Sequence, residues 1–194
     1  MSRSLRMTVT ELEALVGQTD DGTRHELIDG ELHVSTQPHV RHQRACSRIC
    51  SDLDRWDAGT GVGIAVIAPG VIFAEDEAVA PDVVWVRRRP GVPVHDADGK
   101  LHSAPELVVE GLSPGPANER RDRETKLEVY SRRGVQEYWI VDWRLQSVEV
   151  YRRQGDGLRL TARLTAHDTV TSPLLPGFEA RVADWCAWPE TSAE

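Results

Sequence analysis

Two short apolar runs each carry an acid inside them, and this constrains the chain more than any other feature. Val79–Val86 contains Asp82, and Leu107–Leu112 contains Glu110. Aliphatic runs of this length, bounded by turn residues, fit strands buried on both faces. A carboxylate among such residues is costly to bury unless it is paired or holds a cation. The pattern therefore predicts neighbouring strands with two acids near their ends, a natural seat for a hard divalent cation.

The remaining elements follow from periodicity. Thr10 and Glu13 fit a capping box, and Leu12, Leu15 and Val16 give the helix behind it an apolar face until Gly17. Asp29-Gly30, set between apolar-alternating runs, predicts a hairpin, because both residues tolerate positive φ. From about Val40 to Trp56 the positions Ala45, Ile49, Leu53 and Trp56 recur at helical spacing, with Arg41, Arg44, Arg48 and Arg55 on the wet side. Val62–Ile67 and Val71–Ala74 flank a Pro69-Gly70 turn. Residues 87–104 read as a surface loop. Arg120–Arg132 reads as a helix with Leu127, Val129 and Tyr130 inward, stopped by Gly134. Glu137–Asp142, Ser147–Arg152 and Leu158–Leu164 read as a β-meander, and Pro176 to Trp188 as a short strand or helix packing its tryptophans. Two or three helices and about eight strands, mostly adjacent, favour an α+β fold with a mixed sheet. Both termini are expected to fray.

Composition narrows the function. The 194 residues carry 23 basic and 31 acidic side chains, a formal charge of −8. That balance argues against a tight nucleic-acid binder working by bulk charge. Residues 120–163 are locally basic, however, with 11 basic and 7 acidic side chains against 12 and 24 elsewhere. No apolar run approaches the ~18 residues of a membrane helix, and the opening lacks a secretory signal's apolar core. Three cysteines give no disulfide framework or zinc spacing, which fits a reduced, cytoplasmic protein. Six tryptophans and the apolar strands leave room for an exposed patch, so a homodimer is expected.

Beyond Asp82 and Glu110, Glu26 stands at the mouth of the first hairpin, and Lys126 lies on the helix after Glu110. Two acids, a divalent cation and a lysine suit phosphodiester hydrolysis: the ion activates water, and the ammonium orients it or offsets developing charge. Taken one at a time, each residue favours a structural reading: Asp82 a turn carboxylate, Glu110 a partner for an arginine or loop amide, Lys126 a surface lysine.

Five segments at these residues resemble one family in order. They are Arg24-His-Glu-Leu-Ile-Asp-Gly-Glu-Leu32, Ala80-Pro-Asp-Val-Val-Trp-Val86, Pro105-Glu-Leu-Val-Val-Glu110 with Leu112-Ser-Pro, Asp122-Arg-Glu-Thr-Lys-Leu-Glu-Val-Tyr130 and Gly134-Val-Gln-Glu-Tyr-Trp-Ile-Val-Asp142. Together they resemble the Uma2 family, restriction-endonuclease-like proteins of the PD-(D/E)XK nuclease superfamily. The resemblance implies one nuclease-fold domain over residues 1–194, with a core of about 8–186: a mixed sheet flanked by helices, its site at the sheet's edge. It implies a Mg²⁺-dependent endonuclease, with Mn²⁺ as substitute and nucleic acid, DNA first, as substrate. Asp82 and Glu110 would bind the metal, and Glu26 would be a third ligand or act through water. Lys126 would take the role of the lysine that the superfamily places two residues after the second acid, where this chain has Leu112. His42 matches a family histidine and would be a substrate contact. The chain departs from the family at Gly111, where an aliphatic residue is general, and in its Gly115-Pro-Ala-Asn118 loop; a glycine weakens a strand locally.

Other candidates have plainer readings. His39 and His42 lack a third ligand and read as solvated or phosphate-facing. Ser113 is not on a nucleophile elbow. Gly59, Gly61 and Gly63 form no phosphate loop. Cys46, Cys50, Tyr130, Tyr138 and Trp139 read as core. The competing functional readings are a catalytically silent binding or assembly module that retains the fold, and hydrolysis of another phosphoester.

Overall fold

A computed structural model of the chain describes residues 6–17 and 23–189. The termini expected to fray, and most of the polar stretch after Gly17, lie outside these residues. The first helix, α1 (Val9–Val16), starts two residues earlier than expected: Thr8 is the cap, and its box partner is Glu11, not Glu13. Both Thr-x-x-Glu pairs fit the motif. The earlier start wins because it turns Val9 and Leu12 together onto Leu27.

Strands β1 (Arg24–Ile28) and β2 (Glu31–Ser35) form the expected hairpin, with φ of 50° at Asp29 and 76° at Gly30. Helix α2 (Val40–Thr60) buries Ala45, Ile49 and Leu53. Each fully buried Ile or Leu contributes roughly 1.5–3 kcal/mol. The next strands, β3 (Gly63–Ile67) and β4 (Val71–Ala74), do not pair with each other. Ala68 takes a positive φ of 49° and its N–H bonds the Asp82 carbonyl, which sends the chain from one sheet to another. The run Val79–Val86 is likewise split. β5 (Glu77–Val79) ends at Val79, Ala80-Pro81-Asp82 crosses between sheets, and β6 (Val83–Arg87) begins beyond it.

β7 (Leu107–Gly111) leads into a helical crossover of α3 (Pro116–Arg120), a π-helical stretch Arg121–Lys126, and α4 (Leu127–Arg132). The crossover returns to β8 (Glu137–Asp142), which pairs parallel with β7. The expected meander follows as β8, β9 (Ser147–Gln154) and β10 (Gly157–Leu164). β11 (Thr169–Ser172) and β12 (Leu175–Arg181) form a hairpin before α5 (Val182–Cys186). The described residues thus hold twelve strands, more than the eight expected.

They form a six-stranded mixed sheet, β10-β9-β8-β7-β6-β3, a four-stranded antiparallel sheet, β2-β1-β5-β4, and the β11-β12 pair. Alternation along β6 sorts the two cores. Val83 and Trp85 face α2, α5 and β12, where Trp139 stacks on Trp185. Val84 and Val86 face α4 and the smaller sheet. The fold is therefore α+β with a mixed sheet flanked by helices. No described helix is long and apolar enough to cross a membrane.

Candidate metal and nuclease site

Glu26, Asp82, Glu110 and Lys126 converge in one buried cluster, although a hundred positions separate the first from the last. Register explains the convergence. Glu26 is the middle residue of β1, which pairs with β5; Asp82 follows β5 and precedes β6; Glu110 is the penultimate residue of β7, beside β6. The crossover helix lays Lys126 over them. The cluster sits at the ends of interior strands, where the larger sheet meets the smaller one.

Lys126 Nζ lies 2.9 Å from both Glu26 Oε1 and Glu110 Oε1. Tyr130 Oη donates to the same Glu110 oxygen at 2.6 Å, and the Ala80 amide donates to Glu26 at 3.0 Å. Asp82 accepts from Arg24 Nη1 at 2.8 Å through one oxygen. Its other oxygen accepts from the Gly111 amide at 2.8 Å and from His42 Nε2 at 3.1 Å. His42 Nε2 also lies 3.0 Å from the Gly111 carbonyl, which only accepts, so that nitrogen carries hydrogen.

Two roles differ from the sequence reading. His42 is buried rather than solvated, and His39 alone is exposed, capping α2 and stacking on Trp143. Tyr130 is not only core: its hydroxyl serves Glu110. Sequence reasoning missed Arg24, Tyr130 and Asp122. The helical stripe Asp122, Lys126, Tyr130, spaced by four, was the available signal for the last two; Arg24 shares a face with Glu26 by strand alternation.

Gly111, the departure from the family pattern, has a steric reason. A Cβ there would stand 2.6 Å from His42 Nε2 and 3.3 Å from Cys46 Sγ. The glycine lets His42 reach across the strand end, while the strand itself stays in register, Gly111 against Val141.

The electrostatics are unevenly balanced. Burial works against Asp82 and Glu26 as anions, yet His42 and Arg24 hold Asp82 well below the usual carboxylate range, and Lys126 with Arg24 lowers Glu26. Glu110 goes the other way. Burial, with the charges of Asp82, Asp122 and Glu26, pushes it up to about 7 despite Lys126. Burial also opposes charge on Lys126 and His42, but the surrounding acids raise both. Positive charge is thus short at Glu110.

This donor set fits a hard divalent cation. It offers three carboxylates as oxygen ligands, and added positive charge would answer the deficit at Glu110. A second grouping, His42, Cys46 and Asp82, brings one donor atom each within 4.8 Å. It suits a metal poorly: burial holds the Cys46 thiol protonated, and the hydrogen bond and charge of Asp82 favour the protonated form of His42. A cleft of about 440 Å³ lies between β2 and the start of the crossover, lined among others by Ser35, His39, Ser113, Asn118 and Arg121, the last of these next to Asp122 in sequence.

The model of the Uma2 family, described as "Putative restriction endonuclease", matches residues 9–183. The chain belongs to the Uma2 family. Its fold is similar to the crystal structure of a "putative nuclease belonging to DUF820" from Anabaena variabilis, with a TM-score of 0.72 and 20% identity over 93% of this chain and 99% of that one. No curated protein matches the chain. A Uma2 nuclease role and a nuclease-like fold therefore agree with the cluster's chemistry.

Proposed function

We propose that this Uma2 protein is a Mg²⁺-dependent endonuclease that hydrolyses nucleic-acid phosphodiester bonds, DNA first, with Mn²⁺ as substitute. The observation that carries the reading is Lys126 Nζ at 2.9 Å from two buried carboxylates, beside a third. Asp82 and Glu110 would hold the ion and Glu26 would complete its shell. When bound, the cation supplies Lewis acidity and lowers the pKa of its water. Lys126 orients the attacking water and offsets charge building on the phosphate. Tyr130 fixes the rotamer of Glu110, and Arg24 and His42 fix Asp82. The cleft lined by His39 and Arg121 would admit the backbone, and His42, buried behind Asp82, would be a substrate contact only through that carboxylate. A chain of net −8 holds DNA weakly by itself, so metal, or a partner that delivers substrate, carries much of the binding. A homodimer in the cytoplasm completes the proposal, with light scattering as the check on the dimer.

The test is cleavage of a labelled oligonucleotide duplex with Mg²⁺ and with EDTA. Metal-stimulated cleavage is expected in the wild type and lost in Asp82→Ala and Lys126→Ala. Equal activity in those variants refutes the assignment.

The second reading, a catalytically silent module, draws on one observation. Both oxygens of Asp82 already have protein partners. It predicts no Mg²⁺ or Mn²⁺ binding by calorimetry at millimolar metal.

A further inference from the structure

Asp122 is a buried acid that the account above leaves without a task. It is 2% exposed, and no hydrogen bond reaches its Oδ1. Its nearest cation is Arg121, whose Nε stands 3.6 Å away and itself lacks a hydrogen-bond partner. A buried carboxylate oxygen without a donor costs about 1–3 kcal/mol or more. Such a group calls for a reason, among them a functional role or completion by water or an ion.

The backbone around it is equally unusual. Residues 121–126 form a π-helical stretch within the crossover. π-turns are rare and recur at functional sites. An unbroken α-helix places residues four apart about 40° around the axis. Asp122 and Lys126 therefore share a face one turn apart, and both are buried, while α4 beyond them buries Val129 and Tyr130. The Tyr138 hydroxyl pins the stretch by donating to the Asp122 carbonyl at 3.0 Å. Asp122 stands one turn before Lys126, whose ammonium bonds Glu26 and Glu110, so it lies next to the cluster, and its charge adds to the load on Glu110.

We infer that Asp122 is an outer anchor of the cation site: its free Oδ1 accepts from a water in the coordination shell of the ion held by Asp82 and Glu110. The inference rests on the proposed metal site and adds a residue to it. Outer-shell partners of this kind set ligand orientation, and their loss weakens metal binding by about 10–100-fold.

Three proteins test it: wild type, Asp122→Asn and Arg121→Gln. Mn²⁺ affinity is measured by calorimetry, and thermal unfolding is followed in EDTA. The expected result is Mn²⁺ binding at least tenfold weaker in Asp122→Asn, with a metal-free Tm equal to or above that of the wild type, because the substitution removes an unsatisfied buried charge. Arg121→Gln is expected to bind Mn²⁺ no more weakly than the wild type. Wild-type affinity in Asp122→Asn overturns the inference. So does a lowered Tm or failure to fold in that variant, or an equal loss of affinity in Arg121→Gln, since each of these marks Asp122 as a structural partner of Arg121. If the wild type binds no Mn²⁺, the metal-site reading itself fails and takes the inference with it, an outcome distinct from the others.

Discussion

Glu110 and Glu137 sit at opposite ends of the same parallel strand pair, and both are buried. Glu137, opposite Leu107, accepts from Trp139 Nε1 at 2.9 Å, from Arg152 Nε at 3.2 Å and from the Ser172 hydroxyl, so both its oxygens are satisfied by the protein. Glu77 is similar, held by Arg132 and Arg133. Glu110 is served by Lys126 and Tyr130 through one shared oxygen, and Lys126 must also serve Glu26. Asp122, one turn before Lys126, has an oxygen that no hydrogen bond reaches. Buried acids of the first kind tie the sheet together. Those of the second kind hold a deficit of positive charge that a ligand can fill, and that under-satisfaction, not burial, separates a site from a structural ion pair.

The sharpest way to break this contrast is a pair of substitutions. Glu110→Gln is expected to cut cleavage by on the order of 10³-fold while leaving the protein folded. Glu137→Ala is expected to leave the specific activity of folded protein unchanged but to destabilise it by about 3 kcal/mol in urea titration, because it strands Trp139, Arg152 and Ser172. If Glu137→Ala is silent in stability, the distinction between the two ends fails. Gly111→Ala comes next: its methyl meets the His42 ring, so a loss of about 2 kcal/mol is expected, together with weaker Mn²⁺ binding as Asp82 loses its imidazole.

A pH series sharpens the same point. The folded-state pKa of Glu110, about 7, lies above its ordinary 4.5, so the folded protein binds the extra proton in that window. Its contribution is therefore present below about pH 4.5 and is lost as pH rises towards 7. Asp82 and Glu26 are shifted downward and act only below their ordinary values, outside that window. Metal-free protein should show a falling urea midpoint from pH 5 to 7, and Glu110→Gln should flatten it; an unchanged slope would show that Glu110 is not the titrating group. The smallest expected effect belongs to the surface pair of half-buried Lys100 and exposed Glu13: Lys100→Ala should change stability by less than about 1 kcal/mol in the same assay.

Much of this was legible in the residues. The Asp29-Gly30 turn fixed the first hairpin because its chemistry is local. Helix α2 announced itself by four apolar positions at one spacing. The acids inside apolar runs pointed to the cluster because burying them has so few solutions. What periodicity could not supply was pairing. Nothing local shows that Ala68 turns the chain out of one sheet and into another, or that Asp82 lies in a crossing segment rather than inside a strand. The contrast between Glu110 and Glu137 was equally hidden, since it depends on Arg152 and Ser172, which arrive from later strands.

The parallel pairing of β7 and β8 has a consequence for how the protein is made. Both Asp122 and Lys126 ride on the crossover, the last part of the cluster to leave the ribosome. A nascent chain that stops before Lys126 has Glu26, Asp82 and Glu110 with only Arg24 and His42 to offset them, so three anions repel where the finished chain has a lattice of opposite charges. Closing the crossover thus brings Lys126 onto Glu26 and Glu110 before β8 to β12 are in place, and so relieves part of that repulsion early in the chain's synthesis.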